Sequence, residues 1–218
     1  NYRFLAPADP KAGGTWAGIN SYGNILILLN GGFIKHPYSG PYRKSRGVIV
    51  RELLKSVYPV AEWSVMDLEG IEPFTLVTWC EQHLYELVWD GQQKHRVLLD
   101  PHQPAIWSSS TLYDEPAKET RQSLFDRWIN SQPVIDAATI MSFFQSFTDK
   151  ENGFLMNRSE KLKTLSYSFI EYKPSGEALY YYDDFSMLLP QIQTMKTTSY
   201  KPDFSVLFPH TLSAAINK

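Results

Sequence analysis

Hydrophobic and polar positions change period several times along the chain. Trp16 to Ile19 and Ile25 to Leu29 are short, nearly unbroken apolar runs either side of Ser21-Tyr22-Gly23-Asn24. Runs this short, rich in Ile and Leu and joined by a Gly-Asn turn, predict two paired strands, the second ending at Asn30-Gly31-Gly32. Apolar residues at 49, 50, 53, 54 and 57 then trace one face of a helix, with Ser45 as N-cap and Pro59 as its stop. Val60 to Leu68 reads as a second short helix. From Phe74 the pattern turns strand-like. Phe74 to Cys80, Leu84 to Trp89 and Arg96 to Leu99, split by polar turns such as Asp90-Gly91, predict an antiparallel meander. Ile106 to Thr111 reads as a further strand. Pro116 opens a helix with Leu124, Phe125, Trp128 and Ile129 on its apolar face. Pro133 opens another, carrying Met141, Phe144 and Phe147. Lys163 to Tyr172 and Ala178 to Asp183 pair across Pro174-Ser175-Gly176. Met187 to Lys218 carries apolar pieces (Val206 to Phe208, Leu212) without a period. Strands grouped in hairpins, helices grouped in pairs and no linker predict one α+β domain over residues 1–218.

Composition narrows the classes of function. Net charge is −2, so nothing pulls the chain as a whole toward nucleic acid or anionic membrane, and any basic site is local. No run of 18 apolar residues exists, which excludes a membrane-spanning helix from the sequence given. A single cysteine, Cys80, excludes an internal disulfide framework and fits a reducing, cytoplasmic setting. Six Trp, 13 Tyr and 12 Phe are enough to build a thick core or line an aromatic pocket for a small-molecule or lipid ligand.

Few side chains stand in patterns that carry chemistry. His36, His83, His95, His102 and His210 never fall four apart with a Glu between, so no metal site is read. Ser108-Ser109-Ser110 follows Asp100 and His102, but no G-x-S-x-G elbow is present, which leaves a polar strand tip. Cys80 lies within an apolar strand and reads as a buried hydrophobe. Arg43, Lys44 and Arg46 form a compact basic segment at the entrance to the first helix, either a solvated face or a cradle for an anionic group. Asn30-Gly31-Gly32 reads either as a plain turn or as a strand end that aims an amide at a ligand.

Eight of the twelve glycines fall between Lys11 and Gly47. There the chain reads D-x-K-A-G-G-T-W-x-G-I-N-x-x-G over Asp9 to Gly23, L-L-N-G-G-F over Leu28 to Phe33, and H-P-x-x-x-P-Y-R-K-S-R-G over His36 to Gly47. These spaced motifs resemble the NRDE protein family, related to transport and Golgi organisation protein 2, and weaker similarity continues to about residue 186. The resemblance implies a four-layer αββα sandwich like that of N-terminal-nucleophile hydrolases. It also implies amide hydrolysis by a leading cysteine, or else a carrier of haem or lipid on the same scaffold. It makes Asn30 the donor to the oxyanion and Gly31 and Gly32 the space above it. Ser109 falls where many relatives have asparagine, and Lys163 near an arginine at the active site; Arg43 and Arg46 are ligand-binding candidates. The chain begins Asn1-Tyr2-Arg3-Phe4 and holds no Asn-Arg-Asp-Glu motif. On the resemblance it lacks the family's first segment, so we expect an inert chain with an open sheet edge near Trp16 to Leu29.

Overall fold

The computed structural model describes residues 3–147, 149–158 and 162–198. Six strands run as a meander in one antiparallel sheet: β1 (Phe4–Leu5), β2 (Ala17–Asn20), β3 (Ile25–Asn30), β4 (Phe74–Cys80), β5 (His83–Trp89) and β6 (Lys94–Leu99). Helices α1 (Arg46–Leu53) and α2 (Pro59–Val65) interrupt it between β3 and β4. Helices α3 (Glu115–Ser131) and α4 (Ala137–Ser146) follow, then a short pair, β7 (Asn157–Arg158) and β8 (Leu162–Lys163). The described chain closes on a three-stranded sheet, β9 (Ser166–Tyr172), β10 (Glu177–Asp184) and β11 (Gln191–Lys196), with β10 in the middle. The class is α+β with antiparallel sheets, as the grouping of runs predicted.

Alternation along the strands divides the first sheet into two working faces. Leu26, Phe74, Leu76, Cys80 and Leu87 lie on one, packed against Ile49, Val50 and Leu53 of α1 and Val60 and Trp63 of α2. Each fully buried Leu or Ile there stabilises by roughly 1.5–3 kcal/mol, several times what an exposed ion pair adds. Apolar packing, not charge, therefore holds these helices to the sheet. On the other face Ile19 and Ile25 meet Ala178, Tyr180 and Met195 of the second sheet. That second sheet is narrower than the first. Ile27, Val77, Glu86 and Val97 form one row across β3 to β6, and Ile27 and Val97 remain 42% and 47% exposed. Gln145 of α4 reaches the Tyr167 hydroxyl of β9 at 3.4 Å, and residues of both elements line one groove.

Two asparagines of the first hairpin tie this sheet to its helices. Asn20 is fully buried, and its Nδ2 donates to the carbonyls of Leu54 (3.2 Å) and Ser56 (2.9 Å) beyond the end of α1. Its Oδ1 accepts from the N–H groups of Tyr22 (3.0 Å) and Asn24 (3.1 Å) in the turn. Asn24 adds a bond from Nδ2 to the Val57 carbonyl at 2.9 Å. One carboxamide thus satisfies two carbonyls past a helix end and two turn amides, all of them groups that are costly to bury unpaired.

Several boundaries differ from those read in sequence, each for a local reason. Ile106 to Thr111 is not a strand. The Ser109 carbonyl accepts from the N–H groups of Leu112 and Tyr113, which curls the segment into a turn. Pro59 does more than stop α1, since it starts α2 as its first residue. Helix α4 begins at Ala137 rather than Pro133, because Asp136 and Thr139 form a reciprocal capping box. The run from Lys163 is broken at Thr164, which bonds to Phe154 and Met156, so Lys163 belongs to β8 and β9 starts at Ser166. Strand β11 has no hydrophobic period of its own, and its place is set by its register with β10. The edge beside β2 is partly closed by the two residues of β1, and β3 is flanked on both sides. The apolar pieces Val206 to Phe208 and Leu212, and His210, lie outside the described residues.

We expect Asn20→Ala to lower the unfolding free energy in urea by about 3 kcal/mol, because four buried backbone groups lose their partner. A loss under about 1 kcal/mol would mean that water replaces the amide and that Asn20 does not join the hairpin to α1.

Candidate functional site

Beside the end of β3 lies a cleft of about 670 Å³, walled by Ile34 and Lys35, by Ser110 to Glu115 with Lys118, and by Glu151, Asn152 and Arg158. Its charges are of both signs and mostly paired. Lys118 Nζ lies 2.6 Å from Glu115 Oε1, and Arg158 Nε donates to the Glu151 carbonyl at 2.7 Å. Lys35 is exposed at the rim. The cleft therefore has no strong net pull on an anion, and suits a neutral polar group beside the apolar Ile34, Leu112 and Tyr113.

Arg121 braces this cleft from behind, a role that reading the sequence missed. It is 6% exposed, yet it has no carboxylate partner among the described residues. Its guanidinium lies over the rings of Tyr113 (4.2 Å) and Phe154 (4.1 Å). Nε donates to Ser108 Oγ at 2.8 Å, and Nη1 to the carbonyls of Asn152 (2.9 Å) and Gly153 (3.0 Å). Burial lowers its pKa below the usual arginine value. The signal was present in the spacing: Ala117, Arg121 and Phe125 fall four apart and form the buried stripe of α3.

At the strand end, Asn30 is exposed and its carboxamide makes no hydrogen bond among the described residues. Its backbone carbonyl accepts from Ser109 Oγ at 2.7 Å. Asn30 does not line the cleft, whose wall begins one residue past Ser109, at Ser110. The glycines that follow were expected to leave space for a ligand, but the chain itself fills that space. Gly31 has φ +88°, and a Cβ there would run into Ser110 Oγ; a Cβ on Gly32 would come within 3.2 Å of Asp90 Cα and the Trp89 carbonyl. The pair lets three segments converge.

The other candidates are placed as follows. Ser108 accepts from Arg121, Ser109 donates to Asn30, and Ser110 donates to the Ile34 carbonyl at 3.4 Å, so none of the three hydroxyls faces a histidine base. Asp100 accepts from the His102 N–H in a separate exposed turn. Lys163 lines a different groove, of about 610 Å³, with Leu165, Asp184 and Phe185, and the structure does not bring it into the cleft beside Asn30. The basic segment is already engaged. Arg43 donates to the carbonyls of Asp67 and Glu69 and pairs with the Asp67 carboxylate, and Lys44 pairs with Glu52. Arg46 pairs with Glu72 at 3.1 Å, and Glu72 also contacts His36 Nε2 at 3.2 Å. Arg46 Nη1 and the Gly31 N–H both donate to the Pro73 carbonyl. Arg43 and Arg46 clamp residues 67–73 to the start of α1, and through Pro73 Arg46 holds the glycine turn.

Cys80 is fully buried in the core, and desolvation pushes its thiol up to about 12. Among the described residues, no three His, Cys, Asp or Glu side chains converge as metal ligands, and no helix is long and apolar enough to cross a membrane.

The family model for Transport and Golgi organisation 2 matches residues 1–200, and the chain belongs to that family. No curated protein matches it.

Gly31→Ala should cost about 2 kcal/mol or more in urea unfolding, from the positive φ together with the overlap with Ser110. Gly32→Ala should cost clearly less, and equal losses would show that the turn is not tied to Ser110. A raised thiol pKa means that less thiolate is present at any pH below it. Iodoacetamide should therefore leave Cys80 unmodified in the folded chain at pH 9 and label it rapidly in denaturant. Fast labelling of folded protein would contradict the burial.

Proposed function

We propose that this member of the Transport and Golgi organisation 2 family binds a small or lipid-like acyl amide in the cleft between 34–35, 110–115 and 151–158, with the Asn30 carboxamide, outside the cleft wall, donating to a ligand carbonyl that projects from the cleft mouth. The observation that carries this reading is the free amide of Asn30. It ends a paired strand, has no internal partner among the described residues, and is fixed through its own carbonyl to Ser109, next to the cleft wall. The strand end is anchored by that bond, and the exposed amide exchanges only water for a ligand carbonyl. The reading assigns binding and polarisation to these 218 residues and leaves the attacking group to an N-terminal cysteine of the kind the family resemblance implies. Among the described residues, Cys80 is buried and protonated, and the three serine hydroxyls are committed.

Haem does not fit this cleft. None of its lining residues is histidine or cysteine, and the Tyr113 hydroxyl already donates toward the Gly153 carbonyl and Met156 Sδ. In this cleft the carrier reading is left with a lipid-like ligand that needs no axial residue.

The test is isothermal titration of the purified chain with a graded set of N-acyl amides, alongside an assay for release of the amine. We expect saturable binding without turnover, weakened about three- to tenfold by Asn30→Ala, the loss of one hydrogen bond. Binding indifferent to Asn30→Ala would remove the donor from the site. Turnover lost on Cys80→Ser would overturn the assignment of binding alone.

A further inference from the structure

Four half-buried aromatic rings converge where the turns at one end of the first sheet meet its two covering layers. Tyr22 stands in the β2–β3 turn, Tyr58 in the link between α1 and α2, Trp79 near the end of β4 and Tyr172 at the end of β9. They line a small pocket of about 80 Å³, in whose described lining Glu81 is the one charged residue.

Contacts made elsewhere fix these segments. The Tyr22 N–H donates to Asn20 Oδ1 at 3.0 Å, and Asn24 Nδ2 holds the Val57 carbonyl, next to Tyr58, at 2.9 Å. Trp79 stands directly across from Ile25, which puts its ring on the face that meets the second sheet. Thr197 Oγ1 donates to the Gly176 carbonyl at 2.8 Å, so it accepts from the Tyr172 hydroxyl, 3.2 Å away. The Tyr172 ring closes over the turn at Gly23, where a Cβ would come within 2.6 Å of Tyr172 Oη. The rings are thus held in place before any ligand arrives, which lowers the cost of ordering them.

The β4–β5 turn beside the rings is strained. Its two residues, Glu81 and Gln82, have φ of +51° and +64°, values that suit glycine or asparagine. Strain of this kind persists where it holds a side chain at a site. Here it sets an exposed carboxylate beside four rings. That carboxylate pairs with no cation among the described residues, and accepts only the weak Cys80 S–H at 3.9 Å.

We propose that this pocket is a cation–π cage for a quaternary ammonium group of the choline type, with Glu81 as its counter-charge. Ring faces attract a cation through their quadrupole but supply no strong hydrogen-bond acceptor. A trimethylammonium has no N–H to leave unsatisfied against them, whereas a primary ammonium brings three donors and a guanidinium five. A neutral apolar group would cover the Glu81 carboxylate without compensating its lost water. The volume suits a headgroup, the remainder of the ligand staying outside. The cage shares no lining residue with the acyl-amide cleft and does not depend on that reading.

The test titrates the 218-residue chain with choline and with its neutral tert-butyl isostere, followed by NMR. Choline should saturate with a Kd on the order of 1 mM or tighter, and the isostere should bind at least about tenfold more weakly, since it keeps the shape and loses the charge. Among the six tryptophan indole signals, that of Trp79, assigned through Trp79→Phe, should move most. Glu81→Gln, at an exposed turn, should weaken choline about threefold or more with an unchanged circular dichroism spectrum. Phosphatidylcholine vesicles form the second arm. Vesicle binding that choline competes away identifies a lipid headgroup, and choline binding without vesicle binding identifies a soluble ligand; either supports the cage. No saturation by about 20 mM choline, equal affinity for the isostere, indifference to Glu81→Gln, or a largest shift at another tryptophan would each overturn it. The isostere comparison uses the unmodified chain and decides the matter even if a variant unfolds.

Discussion

The buried carboxamide of Asn20 is the constraint on which the rest of the structure depends. A helix packed over a sheet by apolar contacts alone can slide, because apolar contact has little direction. Four hydrogen bonds from one side chain fix the end of α1 against the first hairpin to within their geometry. Once α1 is placed, its first turn carries Arg46 to Glu72 and the Pro73 carbonyl, and Pro73 carries the turn at Gly31. The position of Asn30 beside the cleft thus traces back to an asparagine 10 residues earlier, through a helix and a loop.

The elements written in sequence were those whose own side chains decide them. Phe74–Cys80 alternates with its core face fully apolar but for Thr78, and its bounds were legible without change. Ser45 caps α1 by accepting from the Gly47 N–H, a bond between near neighbours. What stayed illegible was decided by partners far along the chain. Strand β11 exists because β10 offers an edge to Gln191–Lys196, of which only Met195 is buried. Ile106–Thr111 has the composition of a strand, but its serines are drawn off to Asn30, Ile34 and Arg121 instead of a ladder.

The candidate site shows the same division. The resemblance named Asn30 and Ser109 singly, and the Ser109 hydroxyl bonds to the Asn30 carbonyl across 79 positions of sequence. The break at Thr164, which sequence proximity to β9 conceals, places Lys163 in another groove. For the basic cluster and the double glycine the sequence left a ligand-facing role open, and in the structure both engage the protein's own segments. Motif residues chosen for conformational freedom or charge are as readily used to bring a chain's own segments together. Telling the two uses apart requires the partners Glu72, Asp67 and Ser110, none of which sits near its counterpart in sequence.

The bracing of the cleft by Arg121 has a consequence of its own. Carboxylates that hold a buried cation lose their grip when acid protonates them, and exposed ion pairs fade as salt rises. Arg121 instead rests on carbonyl dipoles, a hydroxyl and two ring faces, none of which titrates in acid or draws a counterion. The back wall of the cleft is therefore insulated from both variables. That wall keeps its shape in acid and in salt, where one locked by salt bridges would loosen. The same construction admits little substitution, since a lysine offers neither the flat cation that lies between two rings nor the fork that reaches Ser108 and the 152–153 carbonyls together.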